Sequence, residues 1–113
     1  MKSQVLERGA YVIIALDGEL DVAVAPQLKT LFKETIEKGE RKVIVDMKDV
    51  KFIDSSCLGV MVNAHKLAVA TNGAIRFAQS SDQVRKIFEL TRTDRHLAFF
   101  NTIEDAVKSF DSP

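Results

Sequence analysis

Cysteine is nearly absent. The one cysteine in 113 residues, Cys57, can form no internal disulfide, and this usage is expected of a reducing, cytoplasmic setting. Long apolar runs are absent too. The longest, Tyr11 to Leu16, is far shorter than a bilayer span and reads as a strand. Residues 1–10 show no signal-peptide pattern, so no membrane role is expected. Neither sign of charge dominates. Lys plus Arg number 16 against 16 Asp plus Glu, which leaves no electrostatic footprint for nucleic acid or an anionic membrane. A protein partner or a small ligand is the better expectation. Gly-x-Ser-x-Gly and Gly-x-x-x-x-Gly-Lys-Ser/Thr do not occur, so neither a nucleophile elbow nor a P-loop argues for an enzyme. His65 falls at the edge of an apolar helical stripe and His96 in a polar surface stretch. With Cys57 they lie far apart in the chain and suggest neither a metal site nor a cofactor.

What is present is enough for a core. Hydrophobic residues make up 46% of the chain, which excludes disorder, and the length fits one domain over residues 1–113. No repeat, low-complexity tract or linker divides it.

Val5 to Glu7 reads as a short edge strand, followed by a turn at Arg8-Gly9. The β-branched run at 11–16 predicts a strand covered on both faces, stopped by Asp17-Gly18. Pro26 opens a helix with Leu28, Leu31, Phe32 and Ile36 on one face and Lys29, Lys33, Glu34 and Glu37 on the other, and Gly39 ends it. Val43-Ile44-Val45 is a second buried strand, and residues 47–53 connect outward from it. Leu58, Met61, Val62, His65 and Val69 mark a helix ended by Asn72-Gly73. A strand at 74–78 follows, then a helix with a Ser80/Gln83 capping box and Val84, Ile87 and Phe88 inward. A strand at 97–100 precedes a last helix capped by Thr102, with Ile103, Ala106, Val107 and Phe110 on one face. This alternation predicts an α/β domain with a mostly parallel central sheet, an N-terminal edge strand and about four helices. Function in such sheets gathers at the carboxyl ends of the strands, here the loops at 17–25 and 49–57.

The second loop carries two serines, Ser55 and Ser56, where a strand region gives way to a helix. A helix start has unpartnered N–H groups and tolerates an anion. A phosphate there adds roughly −1.5 to −2 charges, next to Asp54, and would recast a docking face without changing the fold. On the local pattern alone, Ser55 reads as an N-cap.

Phe52-Ile53-Asp54-Ser55-Ser56-Cys57-Leu58-Gly59-Val60 resembles the Phe-x-Asp-Ser-Ser/Thr/Ala-Gly-Leu-Gly signature of STAS-domain anti-sigma factor antagonists. Gly18-Glu19-Leu20-Asp21 resembles their segment before the first helix. Val43-Ile44-Val45-Asp46-Met47-Lys48-Asp49-Val50 resembles the strand before the serine, and Ile87-Phe88-Glu89-Leu90-Thr91 with residues 99–107 the C-terminal part. Four such segments occur in the family's order. The resemblance implies a regulator that catalyses nothing. In its unmodified form it binds an anti-sigma factor, itself a GHKL-type serine kinase, and so releases a sigma factor. The kinase phosphorylates the serine after the Asp, here Ser55, which ends the interaction, and a PP2C-type phosphatase restores it. The partner-binding residues implied are Asp21, Asp54, Ser55, Ser56, Cys57 and Leu58.

The chain departs from the family pattern at three places. Cys57 stands where Gly is usual, Val24 where Thr or Ser often precedes the first helix, and Arg92-Thr93 within a usual Thr-Gly-Leu-Asp. With the whole chain weighed, Ser55 is read as phosphoacceptor and Ser56 as a cap or helper. Asp21 stands between turn residue and partner contact. Cys57, without a resolving partner, reads as a small side chain, although a helix start can lower a thiol's pKa. Two alternatives keep the fold: a STAS scaffold in a stress-signalling complex, or a STAS subunit of a lipid transporter. A phosphoaspartate receiver ranks lower. It needs an acidic pair just after its first strand and a Lys after its last, where this chain has Asp17 and Glu19 in a predicted turn and Phe99-Phe100-Asn101.

Overall fold

A computed structural model describes residues 1–111. They form five strands and four α-helices in the order β1 (Lys2–Glu7), β2 (Val12–Leu20), α1 (Ala25–Glu37), β3 (Lys42–Ile53), α2 (Ser55–Ala70), β4 (Ala74–Ala78), α3 (Asp82–Leu90), β5 (Ala98–Phe100) and α4 (Ile103–Ser109), with a single 3₁₀ turn at Thr93–Arg95. The sheet runs β1-β2-β3-β4-β5 in chain order. β1 is antiparallel to β2, and every later pair is parallel. The predicted α/β architecture, mostly parallel with an N-terminal edge strand, is the one observed.

The parallel strands are apolar on both sides because both sides are covered. On one face, Ile14, Val45, Ile75 and Phe77 meet Leu28, Phe32 and Ile36 of α1, Leu58 and Met61 of α2, and Val84 and Phe88 of α3. On the other, Ile13, Ile44 and Ala78 meet Ala106 of α4, with Ile103, Val107 and Phe110 packed around them. Phe77, Phe88 and Phe99 form an aromatic cluster, Phe88 and Phe99 lying edge to face with centroids 4.8 Å apart.

Four expectations are corrected. β1 begins at Lys2, not Val5. Asp17-Gly18 does not stop β2, which continues to Leu20, and residues 47–53 belong to β3. The two strands stay paired to the end, Leu20 opposite Ile53, but with irregular register. Ala15 faces Asp46 while Asp17 faces Asp49, and Gly18 faces Val50 while Glu19 faces Phe52, so β3 gains an extra residue twice. Each bulge shifts the phase of the pleat. Met47, Val50 and Ile53 are therefore all buried at a spacing of three, a pattern that mimics neither a regular strand nor a helix. Finally, α3 is capped by Ser81, whose hydroxyl accepts from the Val84 N–H at 3.2 Å, and not by Ser80 with Gln83.

The other caps follow the sequence. Gly39 takes φ +96 after α1, Thr102 caps α4 through the Asp105 N–H, and Val24 precedes α1 without a side-chain cap. At the end of α2 the left-handed residue is Asn72, with φ 65. Gly73 is required there for a different reason: a Cβ would lie 2.7 Å from the Arg41 carbonyl oxygen. Arg92 holds φ 60, a conformation that glycine adopts without strain. It lies beyond the C-terminus of α3, at the end of the domain opposite the start of α2. The Arg92-Thr93 departure therefore does not touch the Asp54-Ser55-Ser56 segment.

Gly73 and Gly59, the latter inside α2, give opposite predictions. Gly73→Ala should destabilise the domain by roughly 1–3 kcal/mol, because backbone must shift to admit the methyl group. Gly59→Ala, with nothing within 4 Å of the new Cβ, should stabilise it by roughly 0.5–1 kcal/mol. Urea unfolding of both variants checks the pair.

Candidate functional site

The extended β2–β3 pair delivers two chain segments to one place. β2 ends at Leu20, whose carbonyl accepts from the Asp54 N–H at 3.0 Å. β3 ends at Ile53, and Asp54 is the N-cap of α2 in extended backbone, φ −105 and ψ 177. The cap is therefore the aspartate and neither serine. One Asp54 oxygen, Oδ1, accepts from the Ser56 N–H at 3.0 Å, the Cys57 N–H at 3.2 Å and the Ser56 hydroxyl at 2.5 Å. These N–H groups stand at the second and third helical positions, the usual donors to an N-cap side chain.

The two serines consequently differ. Ser56 is half-buried and its hydroxyl is committed to Asp54. Ser55, at the first helical position, is exposed, and its hydroxyl takes no part in this network. α2 begins at Ser55, three residues before its expected start near Leu58.

Asp21 reaches the site through its backbone. Its carbonyl accepts from the Cys57 Sγ–H at 3.3 Å. Its side chain closes the loop that follows it, before α1, by accepting from the Ala23 N–H at 3.0 Å, and its carbonyl also accepts from the Val24 N–H at 3.1 Å. Asp21 is thus a turn residue, half-buried and in contact with Cys57. Cys57 and Leu58 were expected on the partner-binding face, but their side chains point inward, 0% and 2% exposed, and belong to the core. Burial raises the Cys57 thiol pKa, and the neighbouring charges of Asp54 and Asp21 add to the rise. That is the reverse of the activation a helix start can give, and Cys57 packs within the core.

Sequence reasoning missed a groove between α1 and α2. It encloses about 410 Å³ and is floored by Phe32, Val60 and Leu67. Ser55 and Ser56 line one end of it, and Lys29 and Lys33 also line it. The two lysines were placed on the solvated face of α1. They are indeed exposed, but they stand on the rim of this groove. Their spacing of four residues around Phe32 was the only available signal.

His65 and His96, far apart in sequence, line one shallow cleft with Val62, Lys66 and Val69. Burial lowers the His65 pKa, with Arg76 and His96 contributing. Among the described residues no group of three or more His, Cys, Asp or Glu could hold a metal ion. No helix among them is long and apolar enough to cross a membrane.

The STAS domain profile matches residues 2–106, almost the whole chain and all of the site just described. The chain belongs to the STAS domain family. This STAS domain is 32% identical over 98 residues to a Thermotoga maritima protein named as a candidate anti-sigma factor antagonist, covering 86% of this chain and 87% of that one. A crystal structure of a Thermotoga maritima protein of that description superposes with a TM-score of 0.89 at 28% identity, covering 97% of this chain and 95% of the other. The anti-sigma-B factor antagonist of Staphylococcus aureus is 28% identical over 78 residues, 69% of this chain and 72% of its own.

The Asp54 cap makes a pH-dependent prediction. The Ser56 hydroxyl, foremost, and the surrounding backbone N–H groups hold the Asp54 pKa below its ordinary 3.8, against the opposing effect of desolvation. A depressed pKa stabilises the fold above the ordinary value and loses that contribution as pH falls through the folded one. Asp54→Ala should therefore cost about 1 kcal/mol at neutral pH. The difference from wild type should shrink as pH drops below 3.8. Chemical unfolding of both proteins across that range tests it; a pH-independent difference would mean that the ionised cap is not the cause.

Proposed function

We propose that this STAS domain is a cytoplasmic anti-sigma factor antagonist, a single regulatory domain over residues 1–113 that is switched by phosphorylation of Ser55. Unmodified, it binds an anti-sigma factor of the GHKL serine-kinase type and so frees a sigma factor. Phosphorylation by that kinase ends the interaction, and a PP2C-type phosphatase reverses it. Kinase and phosphatase supply the chemistry, and the domain supplies the surface.

The observation that carries this reading is the division of labour between adjacent serines. A kinase needs a hydroxyl that is accessible and free to be approached. Ser55 is exposed at the first position of α2, whereas the Ser56 hydroxyl is held 2.5 Å from Asp54. The assignment of Ser55 rather than Ser56 thus rests on geometry as well as on resemblance to the antagonist signature. The names of the relatives from Thermotoga maritima and Staphylococcus aureus support the partner class.

The switch acts at the surface under this reading. Cys57, Leu58, Met61, Ala64 and Ala68 anchor α2 in the core, so a charge added at its tip has a rigid base. Asp54, next to Ser55, and Asp21, whose carbonyl holds Cys57, are proposed to contribute to the docking face.

The experiment combines an anti-sigma factor kinase of the same organism, ATP and the purified domain, with phosphosite mapping by mass spectrometry. Phosphate is expected on Ser55, and Ser55→Ala should accept none while binding the kinase like wild type. Ser55→Glu should bind on the order of tenfold more weakly, roughly 1.4 kcal/mol. Its stability should stay within about 0.5 kcal/mol of wild type, because the site is exposed. Phosphate on Ser56 alone, or equal affinity of Ser55→Glu and wild type, would overturn the assignment.

A further inference from the structure

Ser55 opens onto a groove that the phosphorylation reading does not by itself use. Its floor is apolar, from Phe32 and Val60 and from Leu67, which is 41% exposed. Its rim is basic, from Lys29 and Lys33 one helical turn apart on α1. An apolar floor left open to water is a place where a partner gains by burying a side chain. A positive rim selects what can flank that side chain.

Among the described residues, neither lysine is firmly held elsewhere. Lys33 approaches Glu37 at 3.9 Å, but both side chains are more than half exposed, and such pairs contribute little. Both lysines can therefore turn to a stronger anion. A phosphate on Ser55 would be one, since it sits at the end of the same groove and carries roughly −1.5 to −2 charges. It also needs compensation, because Asp54 next to it stays ionised at neutral pH.

Resting on the antagonist reading above, we propose that the α1/α2 groove is the docking site for an acidic, apolar-centred segment of the anti-sigma factor, whose carboxylates pair with Lys29 and Lys33. Phosphoserine at position 55 competes for the same two lysines from within the chain. It draws them across the mouth of the groove, so the modified form is masked as well as repulsive. The phosphate acts as an internal stand-in for the partner's carboxylates.

Two measurements test this with the whole domain. In the first, phosphoserine is installed at position 55 by genetic encoding, and its phosphate is titrated by phosphorus NMR in wild type and in Lys29→Gln/Lys33→Gln. No partner is needed. Capture by lysines favours the dianion, so removing them should raise the second phosphate pKa by roughly half a unit or more. An unchanged value would overturn the competition. In the second, the unmodified domain is titrated against the anti-sigma factor kinase. Lys29→Gln/Lys33→Gln and Leu67→Glu should each weaken binding on the order of tenfold, and added salt should narrow the gap between wild type and the lysine variant. Thermal unfolding confirms that these exposed substitutions leave the fold intact. Wild-type binding with unaffected variants would overturn the groove and leave the antagonist reading standing. No binding by wild type would overturn both.

Discussion

One carboxylate organises the functional end of this domain. Asp54 stands where β3 stops and α2 starts, and its Oδ1 closes the first turn of the helix through the Ser56 and Cys57 N–H groups. Helix starts have donors with no partner in the helix, and a short acidic side chain at this position satisfies two of them. The same residue's own N–H is held by the Leu20 carbonyl, and Cys57, one turn on, reaches back to the Asp21 carbonyl. The two loops at the carboxyl ends of β2 and β3 are thereby locked to one helix tip. The order Asp-Ser-Ser has a mechanical meaning in this frame. Successive residues on a helix point about 100° apart. One serine therefore turns back to the carboxylate while its neighbour turns outward. A kinase acting on Ser56 instead would have to work against the hydrogen bond its hydroxyl makes to Asp54.

The ionised cap also sets the electrostatic terms of a phosphate at Ser55. The new charge would join Asp54 at the positive end of a helix dipole equivalent to roughly half an elementary charge. That compensation is partial, and the cations lining the same groove are Lys29 and Lys33. The domain cannot easily relieve the crowding by letting α2 shift, because five of its residues are buried between α1 and the sheet. Local charge must then be answered by local side chains. Under the proposed switch, a covalent mark at the tip of this anchored helix would change the surface and leave the core alone.

The sequence made the helices and the buried strand centres legible because their periods are regular. Leu28, Phe32 and Ile36, or Val43-Ile44-Val45, admit few other readings. It misled where regularity breaks. The two bulges in β3 put Met47, Val50 and Ile53 inward with charged residues between them, which reads as a connection. Asp17 and Gly18 read as a stop because Asp-Gly is turn chemistry, whereas here Gly18, with φ +110, lies within β2 opposite the irregular part of β3. The inward direction of the Cys57 and Leu58 side chains was hidden for a related reason. A motif gives residues a common location but not a common direction, and a helix start sends some side chains out and others straight into the core. The groove was invisible because its two walls come from helices separated by a strand in sequence, and lysines on an amphipathic helix look the same whether they face bulk water or a rim.

The irregular stretch that hid from the sequence is the one that places the site. β4 pairs with β3 only as far as Asp46, opposite Ala78, whereas β3 continues seven residues further with β2 alone. That two-stranded extension carries Asp54 past the end of β4 before α2 begins its return. A bulged strand twists more strongly than a regular one, and here the bulges keep Val50 and Ile53 anchored in the core while the chain runs outward. α2 can therefore start at the rim of the domain and still bury its next turn. An exposed hydroxyl on a fully anchored helix is a demanding combination, since exposure favours mobility and anchoring favours burial. The extension of β2 and β3 reconciles the two by fixing the backbone just beneath Ser55 and leaving its side chain in water.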